Sequence, residues 1–286
     1  MRLLCQLTVH LCLILGLLTP TWGQERNPPI KPLVVGLMPY LTTRTLLANY
    51  QPIAQALENE LHQPVQLLTA PDFDTFVKRV FDGEYDLALL APHYARLASK
   101  DYGYTPLLVH KSPIRGVLVT ASTRPLLSFN ELRGQDIAVV DRSALIAIAA
   151  VASLAEEGLR EHFDYRFVET VSHSSALYNA INGKARAALV SYSTLLLSPP
   201  ELQQETIIWK DLANIPGQFY IAHSRLPQVR QQAIKGALLA FEKSKEGRAF
   251  FEKTRHGGLR EPSAEDYAQI DRILPETRKQ LGALLR

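Results

Sequence analysis

The stretch VVDRSALIAIAAVASLA, residues 139–155, runs from a short apolar strand pattern through an acid, a base and a hydroxyl into twelve uncharged, mostly apolar residues. Ser143 reads as the cap of a helix over 144–155. That helix is too short to span a bilayer and too uniformly apolar for a protein surface, so it is expected to lie buried on a sheet. It follows the strand DIAVV (136–140), and the carboxyl ends of strands are where open α/β sheets receive ligands. Free N–H groups and the helix dipole make such a terminus suitable for an anion.

Upstream, the same strand-to-helix rhythm is set out three times. PLVVGLM (32–38) reads as a strand and 45–62 as an amphipathic helix; PVQLLT (64–69) is a second strand. The segment 72–85 reads as a helix that begins at an Asp72 cap and stops near Gly83. DLALLAP (86–92) is a third strand, and HYARLAS opens another helix. TPLLVH and GVLVTAS follow as strands and LSFNELRG as a short helix. Downstream of 155 come YRFVETV, the helix SSALYNAINGKA, AALVSY, IIWKDL and the strand in IPGQFYIAHS. One long helix is expected over 226–254, and a last one from Ser263 with Asp266 as capping partner. Alternating strands and helices imply parallel or mixed sheets covered by helices. Two α/β units with separate sheets fit 286 residues better than one very large sheet. GVLVTAS and QFYIAHS are the expected crossings, which leaves a ligand cleft between the units.

The first 23 residues read differently. Arg2 precedes an apolar run, and Thr21 and Gly23 supply small residues before a polar segment. This is the pattern of a secretory signal peptide cut near Gly23, with a retained anchor as the competing reading. Both cysteines, Cys5 and Cys12, lie in that leader, so the remaining chain has no disulfide, thiol nucleophile or thiolate metal site. The formal charge of +3 is scattered without basic blocks, which argues against nucleic acid as a partner.

The mature chain resembles the phosphonate, phosphite and phosphate-type periplasmic solute-binding proteins of ABC importers. The resemblance is carried by 50–98, with its Tyr-x-Pro, amphipathic helix, Asp72-Phe73 pair and Asp-led strand, and by FNELRGQDIAVVD (129–141). SHSSALYNAINGKARAALV (172–190), IIWKDLANIPGQFYIA (207–222) and LREPSAEDYAQIDRI (259–273) extend it. It implies a type II two-lobed α/β fold, divided as 31–119 for lobe 1, 120–217 for lobe 2 and 218–286 for the return to lobe 1. It further implies a periplasmic monomer that captures a small oxyanion, without catalysis or cofactor, for an ABC permease. The alternative is a periplasmic sensing subunit that feeds a membrane histidine kinase or cyclase with a different small anion.

Candidate ligand contacts follow from both readings. Tyr40 and Thr42 end the first strand, Phe73 follows the Asp72 cap, and His93 and Tyr94 follow DLALLAP. In the family a Ser-Thr-Ser-Gly cluster opens the second lobe's helix; here Ser143-Ala144-Leu145-Ile146 keeps one hydroxyl. Arg115 and Arg142 are candidate replacements, because a guanidinium offers a bidentate fork to an oxyanion. The resemblance adds His173, and it places uncharged Ser193 and Gln218 where aminophosphonate binders carry acids. Ser172–Ser174 has no Gly-x-Ser-x-Gly turn, and Asn182-Gly183-Lys184 lacks the upstream glycine of a phosphate loop.

Overall fold

A computed structural model describes residues 31–40, 43–196 and 198–284. The expected leader and Thr42 lie outside the described residues. Among those described, no helix is long and apolar enough to cross a membrane.

The chain opens with β1 (Leu33–Leu37), α1 (Thr43–Leu61), β2 (Val65–Leu68) and α2 (Phe73–Phe81). It continues through β3 (Leu87–Leu90), α3 (Pro92–Asp101) and β4 (Tyr104–His110). β1 pairs in parallel with both β2 and β3. LALL in β3 is buried on both faces, as expected for an inner strand covered on each side by helices. After a tight connection the chain enters a second sheet with β5 (Ile114–Ala121), β6 (Gln135–Val139), α4 (Leu145–Glu156) and β7 (Tyr165–Glu169). α5 (His173–Ile181), β8 (Ala187–Ser191), α6 (Tyr192–Leu196), α7 (Pro200–Gln204) and β9 (Thr206–Ile215) complete that lobe. The return brings β10 (Phe219–His223), α8 (Gln228–Lys243), α9 (Lys245–Thr254), β11 (Leu259–Arg260) and α10 (Ala264–Leu284). The strand orders are β11-β4-β10-β3-β1-β2 and β7-β6-β8-β5-β9.

Both crossings are three-residue segments, 111–113 and 216–218, that run side by side. The His110 N–H donates to the Gln218 carbonyl at 2.9 Å. Gly217 makes this approach feasible: a Cβ there would sit 2.6 Å from the Ser112 carbonyl oxygen and 2.8 Å from that of His110. The boundary drawn at 119 from the sequence therefore falls inside β5, all of which pairs in the second sheet. GVLVTAS follows the first crossing, and QFYIAHS contributes only Gln218 to the second.

Helices cover both faces of the first sheet. Leu46, Tyr50 and Leu57 of α1 pack with Leu238 and Phe241 of α8 on one face. Phe76, Leu97, Ile270 and Leu274 form the other cluster, which continues through Leu145, Ile148 and Ala149 of α4 to Ile215. α4 also meets Leu118 and Leu189 of its own sheet through Ile146 and Ala150. Being covered from both directions explains its lack of a polar face. Full burial of a side chain such as Ile148 contributes about 1.5–3 kcal/mol. α10 grips both lobes by ion pairs, Arg96–Asp271 at 2.8 Å and Arg278–Asp101 at 2.7 Å on one side, Arg142–Glu276 at 2.8 Å and Arg272–Glu156 on the other.

Two helix ends differ from the sequence reading. The single helix expected over 226–254 is broken at Ser244, which adopts extended backbone and accepts the Gly247 N–H on its hydroxyl at 2.9 Å. Serine at that position starts a new helix instead of continuing the old one. Ser143 does not cap α4: Asp141 Oδ1 takes both its N–H and its hydroxyl at 2.7 Å, closing an Asx turn. The cap position falls to Ala144, which has no side chain to offer. By contrast, Asp72 accepts the Thr75 N–H at 2.7 Å, and Ser263 and Asp266 exchange side-chain to N–H bonds as the capping pattern predicts.

Candidate ligand-binding site

A cavity of about 200 Å³ opens between the two sheets. The first lobe supplies Met38 and Tyr40 after β1, Phe73 at the start of α2, and Ala91, His93 and Tyr94 at the start of α3. The second supplies Ile114, Asp141, Ser143 and the opening of α4, Ala144-Leu145-Ile146. Gln218 of the returning crossing completes the wall. The first turns of three helices thus border one space. In α4 the Ala147 and Ile148 N–H groups both donate to the Ala144 carbonyl, which leaves those of Leu145 and Ile146 as first-turn donors. In α3 Pro92 has no N–H and Ala95 donates to Ala91, which leaves His93 and Tyr94. In α2 the Thr75 and Phe76 N–H groups are taken by Asp72, which leaves Phe73 and Asp74.

The electrostatics follow from burial. His93 is 1% exposed, and both of its ring nitrogens lack a hydrogen-bond partner. Burial pushes this imidazole down to about 3, so it is neutral at physiological pH and offers one donor and one acceptor. An unpartnered buried polar side chain is disfavoured unless something completes it. Tyr94 is pushed up to about 12 by burial and by the carboxylates Asp74 and Asp141. Burial, Asp72 and Asp141 also raise Asp74 above the usual carboxylate value. Tyr40 reaches the Tyr50 hydroxyl at 2.9 Å, and burial raises its own hydroxyl. Gln218 Oε1 is buried without a partner.

Of the sequence-derived candidates, Tyr40, Phe73, His93, Tyr94, Ser143 and Gln218 line the cavity. Four others do not. Arg142 donates to Glu161 at 2.6 Å and to Glu276 at 2.8 Å, and it has one buried nitrogen, Nη1, without a partner. Arg115 lies over the Tyr192 ring at 3.9 Å and reaches both oxygens of Asp211 at 3.0 Å. Half-buried His173 opens α5, where burial lowers its imidazole. Ser193 bonds with Ser191 at 2.9 Å. Among the described lining residues there is no lysine or arginine, and the one acidic residue is Asp141. The sequence reading missed Met38, Ile114 and the apolar floor of Leu145 and Ile146 as lining. It also missed Asp141, whose position two residues before Ser143 at the end of a strand was the available signal.

Two mixed sheets joined by paired crossings, with a cavity between them at helix N-termini, make a two-lobed α/β fold. The family model described as "ABC transporter, phosphonate, periplasmic substrate-binding protein" matches residues 35–267, and the chain belongs to that family. Its fold is that of XAC2383 from Xanthomonas citri, solved bound to ATP, at 13% identity and TM-score 0.74 over 86% of this chain and 97% of that one. PhnD1 from Prochlorococcus marinus, in complex with methylphosphonate, gives 12% and 0.68 over 87% and 99%. A binding protein component of an ABC phosphonate transporter from Pseudomonas aeruginosa gives 11% and 0.64 over 90% and 100%. No curated protein sequence matches the chain.

Proposed function

We propose that the protein captures a small phosphonate-type oxyanion in this cavity and presents it to the permease of an ABC importer. It would work as a monomer in the periplasm after loss of the leader near Gly23. The observation that carries the reading is His93, a neutral imidazole sealed into the cavity with both nitrogens unpartnered. It stands beside the first-turn N–H groups of α3 and across from those of α4. An oxyanion seated there would accept from Leu145, Ile146 and His93, each helix end favouring it by about 0.3–1 kcal/mol or somewhat more where partly buried. The contact set of the proposal is Tyr40, Phe73, His93, Tyr94, Ser143 and Gln218, with Asp141, Leu145 and Ile146 added.

Closure would be a hinge motion about segments 111–113 and 216–218, with ligand binding selecting the closed form. Binding rather than turnover is the role that the family description, a substrate-binding protein, supports. The family description names a transporter component, which favours transport over the sensing role.

A thermal-shift titration of the purified protein with methylphosphonate, phosphate and acetate tests the reading. A ligand at a thousand times its dissociation constant adds about 4 kcal/mol, or several degrees for a chain of this size. Stabilisation by methylphosphonate is the expected result. Silence with methylphosphonate and phosphate alongside stabilisation by acetate would assign the cavity to another anion class.

A further inference from the structure

The cavity between the lobes has two kinds of surface. One is polar: the unpartnered His93 ring, Gln218 and the Asp141–Ser143 turn. The other is apolar and continuous with the core. Met38 and Leu145 belong to one buried cluster that spans both lobes, and Ile114 packs against it. Met38 is tied down by its sulfur, which accepts the Ala91 N–H at 3.2 Å where α3 begins. Ile146 is backed by β5: a Cβ at Gly116 would lie 2.9 Å from the Ile146 Cβ, so the strand passes directly against it. Phe73, 38% exposed at the start of α2, lines the same space from the first lobe.

An oxyanion with oxygens on every side turns some of them toward Met38, Ile114 and Leu145, which replace none of the hydrogen bonds that water had made. An anion with an apolar substituent keeps its oxygens on the polar surface and its carbons on the apolar one. Volume limits the substituent. At about 30 Å³ for each water-sized group, a cavity of about 200 Å³ takes about six or seven non-hydrogen groups. A PO₃ head uses about four of them, which leaves about three for carbon.

We infer that the ligand is a short-chain alkylphosphonate, its oxygens against His93 and the first turn of α4 and its substituent of about three carbons against Met38, Ile114 and Leu145. The inference rests on the proposed phosphonate site and names the class of ligand that site takes. Each methylene moved from water into apolar surroundings tightens binding by about fourfold. Met38 comes from one lobe and Leu145 from the other, so the substituent is fully buried only where both walls meet on it. Chain recognition is thereby tied to closure of the lobes.

Calorimetric titration of the full-length protein with inorganic phosphate and with methyl-, ethyl-, propyl- and octylphosphonate, all at one pH, tests the assignment. The dissociation constant is expected to fall by about fourfold with each carbon from methyl to propyl. The gain should stop there, with octylphosphonate no tighter than propylphosphonate, and inorganic phosphate should bind at least about tenfold more weakly than propylphosphonate. Ile114→Ala should reduce the roughly sixteenfold preference for propyl over methyl to about fourfold or less. The wild-type series needs no variant to fold. A level series in which methylphosphonate binds overturns the alkyl assignment and leaves the phosphonate site standing, as does tightest binding by inorganic phosphate. Tightening that continues to octylphosphonate overturns the short chain. Propanesulfonate and butyrate separate a failure of the head group: if either binds while every phosphonate is silent, the phosphonate site falls and this inference with it. Binding of none of these ligands overturns both.

Discussion

The two walls of the cavity are built on opposite principles. The first-lobe wall is aromatic: Tyr40, Phe73, His93 and Tyr94 sit after strands or on helix first turns, and both ring nitrogens of His93 lack a partner while the Tyr40 hydroxyl bonds with that of Tyr50. The second-lobe wall joins the aliphatic run Ala144-Leu145-Ile146 to Asp141 and Ser143, whose polar groups bond to each other in an Asx turn. Polar aromatic side chains are thus concentrated on one wall, while first-turn N–H groups border the cavity from both. Under the proposed function, a site of this kind holds an oxyanion by helix N–H groups without a guanidinium.

The largest effect should come from loosening the second wall. The side chains of Arg142, Glu161 and Glu276 are 17%, 8% and 16% exposed, so Arg142→Ala takes the guanidinium from two largely buried carboxylates, of which Glu276 keeps Gln280 and Lys279. Urea denaturation should show a loss of about 3 kcal/mol. Arg115→Ala, which breaks the exposed pair with Asp211, should stay within about 1 kcal/mol and leave ligand affinity unchanged. If Arg115→Ala abolished binding, the side chains that recognise the ligand would lie outside the cavity. On the first wall, His93→Ala removes a hydrogen bond to a charged ligand worth about 1.5–3 kcal/mol, raising the dissociation constant for methylphosphonate at least tenfold by calorimetry. An unchanged constant would take His93 out of the site. A further substitution should have opposite signs in two assays. Ala144→Ser places a hydroxyl at the uncapped N-cap of α4, so stability should rise by about 0.5–2 kcal/mol. The same hydroxyl then competes for the first-turn N–H groups, and methylphosphonate should bind about threefold more weakly. A rise in both stability and affinity would mean that those N–H groups do not face the ligand.

Much of this architecture was legible locally. The Asp72 cap, the Ser263–Asp266 pair and the strand-to-helix junctions at 90–94 and 139–145 each depend on residues a few positions apart. So did the change from hydroxyls to aliphatic side chains at 144–146. What escaped the sequence depends on distant partners. Arg142 carries the right chemistry for an oxyanion, but Glu276 lies 134 residues further along the chain and claims it across the lobe boundary. Ser143 reads as a cap only until the competing acceptor two residues earlier is placed. Met38 and Ile114 enter the cavity through the packing of the two lobes, which no local pattern encodes. The break at Ser244 was hidden because the flanking residues on both sides favour helix.

A crystal structure of the protein with methylphosphonate tests the central claim most directly. The expected result is the phosphonate between the first turns of α3 and α4. Its oxygens should lie within hydrogen-bond distance of the Leu145 and Ile146 N–H groups and the His93 ring. Methylphosphonate seated instead beside Arg115 and His173, with the His93 ring still unpartnered, would contradict it.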